Sequence, residues 1–174
     1  NLVNVVPDLV TMESYVRASN VQAMIDGNKR VNRALRAGGD AVGADTIIND
    51  LPGYLPMRND STMNEFLKAN SIPLFGEDNV YYGAHMAGST DMGDVSHIIP
   101  VIHPWVGCIH GVLHGADYSI KNDDVAFIKT AQALAMTIVD LLYDEGQGAD
   151  SVLARFKSVF TKDEYLKTLE SISQ

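Results

Sequence analysis

All five histidines of this chain lie between residues 85 and 114 of a 174-residue sequence. They are His85, His97, His103, His110 and His114. A catalytic zinc takes three protein ligands from His, Asp, Glu or Cys together with a water. Asp91, Asp94 and Cys108 lie in the same stretch and add three candidate ligands. The segment therefore contains enough donors for a metal site, although spacing alone does not show that they converge.

The closest pair, His110 and His114, is separated by the interval that places two zinc ligands on one helix face in HExxH sites. In this chain the segment reads HGVLH, so Gly111 replaces the glutamate that acts as general base. The glycines around it disfavour a helix. The pair alone therefore does not indicate a metalloprotease, and each histidine taken singly also fits a solvent-facing or a core position.

Bulk composition excludes several classes of partner. The formal net charge of −9 argues against nucleic acid and anionic membranes, which need clustered Lys and Arg. No uninterrupted apolar run approaches the roughly 20 residues of a membrane span, and no signal-peptide pattern is present. A single cysteine excludes an internal disulfide framework. We therefore expect a cytoplasmic protein that binds neither nucleic acid nor membrane.

Residues 9–18 alternate between apolar and polar side chains and predict a half-buried strand with Arg17 on its polar face. An arginine in this position is either a solvated charge or a clamp that grips a carboxylate bidentately. Residues 2–6 and 44–49 predict two further short strands.

Helices are predicted on both sides of the histidine segment. The first, of about 18 residues, is capped by Ser19 or Asn20 and ended by Gly38-Gly39. The others are one opened by Thr62 and Glu65 with capping-box spacing, a long one over 122–146, and two shorter ones, the last opened by Thr161 and Glu164.

Three stretches together resemble the superfamily of aminoacylases, metallo-carboxypeptidases and aminobenzoyl-glutamate hydrolases. NVVPDLVTMESYVRA is similar to an Asn-x-Ile/Val-Pro-Asp motif that leads into a strand ending in Arg. GSTDMGDVSHIIP resembles a loop of the aminobenzoyl-glutamate hydrolase branch. LHGADYSIKNDDVAFIKTAQALAMTIVDLL is similar to the closing segment, where a ligand histidine precedes a long helix.

This resemblance implies the C-terminal part of a two-domain α/β fold of the zinc-exopeptidase type. Residues 1–57 would be the later part of a ferredoxin-like α+β lid or dimerisation domain. Residues 58–174 would be the C-terminal part of the catalytic domain. Family members are more than twice this length, so we expect the chain to be a portion of a longer protein.

The resemblance also implies site residues. His114 matches the final metal ligand, of zinc or alternatively manganese, and Arg17 matches the lid arginine that grips a substrate carboxylate. Asn4 lies near that pocket in the family. Asp91, Asp94 and Ser96 match a loop beside the metal. The remaining metal ligands and the glutamate base would precede Asn1, so no catalytic residue is assigned in this chain.

The function implied is metal-dependent hydrolysis of an amide bond in an N-acyl amino acid or dipeptide-like substrate, such as an aminobenzoyl-glutamate. We expect the 174-residue chain alone to be inactive, since one mapped ligand cannot hold a catalytic metal. A homodimer formed through the lid, or an assembly with a related subunit, is the expected state. The alternatives are a non-catalytic homologue and an independent histidine-rich module that binds a metal or another ligand.

Overall fold

The structure is a computed structural model that describes residues 4–83, 86 and 88–172. Packing divides the chain into two compact units, Asn1–Ile48 and Asn49–Gln174. The sequence placed the division after residue 57, whereas residues 49–57 lie with the second unit. The assignment of the two parts to a lid and a catalytic domain stays a prediction.

The first unit is built on one helix, α1 (Val21–Val42). Its cap is Asn20, one of the two predicted candidates, whose side chain accepts a hydrogen bond from the Ala23 N–H at 2.9 Å. The prediction that Gly38-Gly39 ends the helix is wrong. The helix continues to Gly43, which adopts a left-handed conformation (φ 70°), while the Ala44 N–H donates to the Gly39 carbonyl at 3.0 Å.

None of the three strands predicted for the first part of the chain forms in the described residues. Segments 9–18 and 44–49 have no ladder partner, and of the segment 2–6 only residues 4–6 are described, as a turn and its exit. Val10 and Met12, on the predicted buried face, are exposed. Alternation predicts a strand only where a neighbouring strand and an apolar layer are available, and the described residues supply neither.

The second unit contains the remaining elements. In chain order these are α2 (Ser61–Phe75), a 3₁₀ turn (Glu77–Asn79), α3 (Met92–Val95), β1 (Ile109–His110), β2 (Ser119–Ile120), a π-helical turn (Asp124–Lys129), α4 (Thr130–Arg155) and α5 (Lys162–Ile172). β1 and β2 pair antiparallel and are the sole strands of the described residues. The α/β fold therefore stays a prediction.

Helix capping partly follows the sequence. At α5 the predicted capping box is confirmed, because the Thr161 N–H donates to the Glu164 carboxylate at 2.7 Å and the Glu164 N–H donates to Thr161 Oγ1 at 3.3 Å. At α2 the prediction is wrong. The cap is Asp60, which accepts from the Met63 N–H at 2.8 Å, and the Glu65 carboxylate instead accepts from the Tyr82 hydroxyl.

Helices α2 and α4 pack together around a polar contact. Asn70 of α2 donates to Asp140 Oδ2 at 2.6 Å and to Thr137 Oγ1 at 3.4 Å. Thr137 in turn donates to the Ala133 carbonyl at 2.8 Å, and Asn70, Thr137 and Ala133 are all buried. Because buried polar groups must find partners, this network ties the two helices in one register.

The long helix was predicted to end at Gly146, and its regular geometry is interrupted there. Tyr143–Gly146 has non-helical backbone angles, with Gly146 at φ 85°, and the helix then resumes to Arg155. The run Asp124–Arg155 is the one described helical stretch long and apolar enough to cross a membrane. Length and composition are all that this finding rests on, and core helices of soluble proteins share them. The absence of a membrane partner stays a prediction.

A close backbone contact joins the start of the second unit to the turn around α3. A Cβ atom added to Gly93 would lie 2.0 Å from the Leu55 carbonyl oxygen, so only glycine fits there. Leu55 is fully buried, and the Arg58 N–H donates to Ser96 Oγ at 3.1 Å. Residues 55–58 are therefore held along the 93–96 turn.

We predict that Gly93→Ala destabilises the second unit by about 3 kcal/mol, because the new methyl group must displace backbone. Gly107→Ala is the matched control, since nothing lies within 4 Å of a Cβ built there, and it should change stability by less than about 0.5 kcal/mol. Denaturant unfolding followed by circular dichroism measures both. Equal stabilities of the two variants would contradict the close contact.

Candidate functional site

His114 lies in the loop that closes the β1–β2 hairpin. Ile109 pairs with Ile120 and His110 with Ser119, so residues 111–118 form the loop. His114 is exposed and has φ +64°, one of three non-glycine residues with positive φ among those described. This backbone conformation is uncommon for a side chain larger than glycine, and such strain is concentrated at functional sites.

Asp117 organises this loop together with two glycines. A Cβ at Gly111 (φ 87°) would lie 2.5 Å from the Asp117 carbonyl oxygen, and a Cβ at Gly115 would lie 2.7 Å from Asp117 Oδ1. Asp117 Oδ1 accepts from the Val112 N–H at 3.5 Å, and the Val112 carbonyl accepts from the Gly115 N–H at 2.7 Å. The glycines of HGVLHG thus serve loop closure, and His110 and His114 do not share a helix face.

His97 is a core histidine. It is 2% exposed, and its Nδ1–H donates to the Gly93 carbonyl at 2.8 Å. The ring stacks on Phe160 at 5.7 Å, and the His97 carbonyl accepts from the N–H groups of Val159 and Phe160 at 2.9 and 3.2 Å. Burial lowers the pKa of His97, which outweighs the hydrogen bond to Gly93 that acts to raise it. This histidine joins the 93–97 turn to residues 158–160 and remains neutral near pH 7.

The other histidines are dispersed. The His103 N–H donates to Asn59 Oδ1 at 2.7 Å, and its ring lies edge-on to Trp105 at 6.1 Å. His110 is exposed on β1, and His85 lies outside the described residues. Wherever the chain is described, no three His, Cys, Asp or Glu side chains come close enough to hold a metal ion.

The turn that carries Asp91, Asp94 and Ser96 is held by its own side chains. Asp91 Oδ1 accepts from the Met92 N–H at 2.9 Å and from Thr90 Oγ1 at 3.0 Å. Ser96 is fully buried and donates to the Gly93 carbonyl. Any role of Ser96 in a site therefore acts through the shape of the turn.

Asp94 is the half-buried member of this group. Its Oδ1 accepts from the Leu55 N–H at 3.4 Å, and its carboxylate interacts with the Tyr165 side chain of α5. Burial first, and then the charge of Asp94 and a side-chain hydrogen bond with it, raise the pKa of Tyr165. The structure thus brings Asp91, Asp94 and Ser96 together in one turn.

Arg17 and Asn4 belong to the first unit. The Arg17 guanidinium lies 5.3 Å from the centroid of the Tyr15 ring, two residues earlier on the predicted polar face. Both residues are exposed, and Asn4 lies in a turn.

Asp117 is the site residue that sequence reasoning missed. Its signal was the glycines on either side of His114 in HGVLHG. A side chain at either glycine would collide with a backbone or carboxylate oxygen of Asp117. The positions of the two glycines are visible in the sequence, but the sequence does not show which residue contacts them.

Comparison with known proteins finds two curated relatives. The chain is 27% identical over 175 residues to the Xaa-Arg dipeptidase of Mus musculus, covering 95% of this chain and 40% of the relative. It is 26% identical over 179 residues to the Xaa-Arg dipeptidase of Homo sapiens, covering 96% of this chain and 40% of that relative. The chain thus spans about 40% of the length of these relatives. No family model and no solved structure matches.

The similarity supports the metallopeptidase/amidohydrolase superfamily. The aminobenzoyl-glutamate branch gains no support from it, since both relatives are dipeptidases by name.

The described residues could supply only part of a metal site. His114 is exposed on a constrained loop. Among the described residues, no two other His, Cys, Asp or Glu side chains lie close enough to form a three-ligand metal site with it. A further ligand set would be needed.

The burial of His97 predicts a pH dependence of stability. The pKa of the folded state lies below the ordinary value of 6.5, so between the two the unfolded chain binds the proton and the folded chain does not. The free energy of unfolding should therefore fall as pH drops from 6.5 through the lower pKa of the folded state. His97→Gln should flatten this slope. Denaturant titrations at several pH values measure it, with His103→Gln as control, and an unchanged slope in His97→Gln would contradict the assignment.

Proposed function

We propose that this chain is the C-terminal portion of a metal-dependent amidohydrolase or peptidase. Its substrate is an N-acyl amino acid or a dipeptide-like molecule, and the chain alone is inactive. The observation that carries the proposal is the loop of His114, an exposed residue with positive φ at the position that the resemblance matches to the final metal ligand. Similarity over 95% of the chain to proteins named Xaa-Arg dipeptidase supports the same class of reaction.

In this proposal His114 supplies one ligand of a divalent metal, zinc or alternatively manganese. The metal, when bound with ligands from the rest of the protein, polarises the amide carbonyl and activates water. Asp117 holds the His114 loop in its bound conformation. A ligand loop that is already shaped before the metal arrives loses less conformational entropy on binding.

Arg17 recognises the substrate carboxylate. In an N-acyl amino acid or a dipeptide this carboxylate is attached to the carbon that bears the scissile nitrogen. A bidentate grip by a guanidinium therefore also positions the amide bond. The contact with Tyr15 restricts the guanidinium before substrate arrives, and Asn4 lies in the same unit as a further polar contact.

Asp91, Asp94 and Ser96 form the wall of the site in this proposal. Their hydrogen bonds within the turn and to residues 55 and 58 support a positioning role rather than a chemical one. The protein is expected to be cytoplasmic and to work as a homodimer or with a related subunit, as the family resemblance implies.

Two dipeptide-like substrate classes fit this grip. A dipeptide with C-terminal arginine corresponds to the name of the relatives, and an aminobenzoyl-glutamate corresponds to the GSTDMGDVSH resemblance. The rival of a self-contained histidine-rich metal module is the less supported one, since the described histidines do not converge. The other alternative is a non-catalytic homologue, and an assay for hydrolysis by the whole protein distinguishes it from an enzyme.

The test is hydrolysis by the whole protein that contains this chain, assayed with Xaa-Arg dipeptides, N-acyl amino acids and aminobenzoyl-glutamate. We expect Arg17→Gln to lower kcat/KM for the preferred substrate about tenfold to a hundredfold, because a charge-assisted bidentate contact is lost. The same substitution should have little effect on a substrate analogue whose carboxylate is converted to an amide.

Arg30→Gln, which removes another exposed arginine of the first unit, is the matched control and should retain activity. Absence of hydrolysis for every substrate would contradict the enzymatic proposal. An equal loss on acid and amide substrates would instead contradict only the role of Arg17.

A further inference from the structure

A cleft of about 290 Å³ opens in the second unit between the start of α2 and the end of α4. Residues 58–61 form one side and residues 155–157 the other. Its volume lies just below the range of drug-sized ligand sites, so it suits a small ligand. None of the residues assigned above to metal or substrate lines it.

Positive charge converges on this cleft. Arg58, Arg155 and Lys157 line it, in a chain whose formal net charge is −9. The ion pair found in the described part of the chain, Lys129–Asp124, lies elsewhere, so none of these three cations has a carboxylate oxygen of the described residues within 4 Å. Three like charges around one opening repel one another, and an anion between them would remove that repulsion.

Asp60, the acid that lines the cleft, offsets one of the three positive charges, so the lining keeps a formal charge of +2 (three cations less one carboxylate). Asp60 uses its Oδ1 to cap α2 through the Met63 N–H. Asn59 accepts from the His103 N–H through Oδ1, which leaves its amide N–H groups as donors, and Ser61 adds a hydroxyl. The lining is therefore rich in hydrogen-bond donors, beside the half-buried ring of Phe156.

We propose that this cleft binds a small, multiply charged oxyanion of the phosphate type, such as inorganic phosphate or a small phosphorylated metabolite. Two guanidinium groups provide planar forks that match oxyanion geometry, and Lys157 adds a point charge. A monocarboxylate would leave most of these donors unpaired. The backbone N–H of Arg58 donates to Ser96 Oγ, so the cleft adjoins the 93–97 turn.

The experiment is calorimetric titration of the purified protein with inorganic phosphate at constant ionic strength, followed by the same titration with sulfate, acetate and a phosphorylated sugar. Saturable binding of phosphate and sulfate, with no binding of acetate, is expected. Tighter binding of the phosphorylated sugar than of phosphate identifies an organic phosphate as the source, and equal or weaker binding identifies the free ion.

Arg155→Gln and Lys157→Gln should each weaken phosphate binding about tenfold, as expected for loss of one charge-assisted contact. Both residues are exposed, so the fold should survive, and circular dichroism verifies it. The double variant Arg33→Gln/Arg36→Gln removes two exposed charges of α1 and should bind phosphate like the original protein.

The proposal is overturned if phosphate shows no saturable binding at constant ionic strength. It is equally overturned if the α1 double variant weakens binding as much as the cleft variants, since net charge alone would then explain the effect. Preference for acetate over phosphate would also contradict the assigned ligand class.

Discussion

The approach of Gly93 to the Leu55 carbonyl is the contact on which the second unit depends. Because no side chain fits between them, residues 55–58 can run along the 93–97 turn, and Ser96 can accept from the Arg58 backbone. His97 then extends the same cluster to residues 158–160 through its ring and its carbonyl. One short turn thereby connects the entry to α2 with the entry to α5, and it carries the acidic side chains of the candidate site.

The His114 side chain is positioned differently from the side chains of the 93–97 turn. No helix or long strand holds it; two ladder pairs close its base, and Asp117 with two glycines fills its interior. Such a loop can place an imidazole in a strained conformation only because its surroundings determine the backbone. The basic cleft beside Arg58 adds a region of positive charge to an acidic protein, and none of the residues assigned to metal or substrate lines it.

Two local signals, the caps of α1 and α5, were read correctly from sequence, whereas the capping box predicted for α2 was not. Asn20 caps α1 and Thr161 with Glu164 caps α5, since a cap needs only its own first turn. The strands predicted at 9–18 and 44–49 do not form, because a strand needs a pairing partner and the described residues do not contain one. His97 illustrates the limit for site residues: burial under Phe160 decides that it is structural, and nothing in its neighbours along the chain encodes that contact.

In the proposed enzyme, His114 alone among the described histidines is a metal ligand. Zinc affinity of the whole protein, measured by competition with a chromophoric chelator, tests it most directly. The account predicts that His114→Ala weakens zinc binding by more than about tenfold, since even loss of a group that supports a ligand costs that much. His110→Ala, an exposed histidine of the same hairpin, should retain the original affinity. Equal affinities of the two variants, or a greater loss in His110→Ala, would contradict the account.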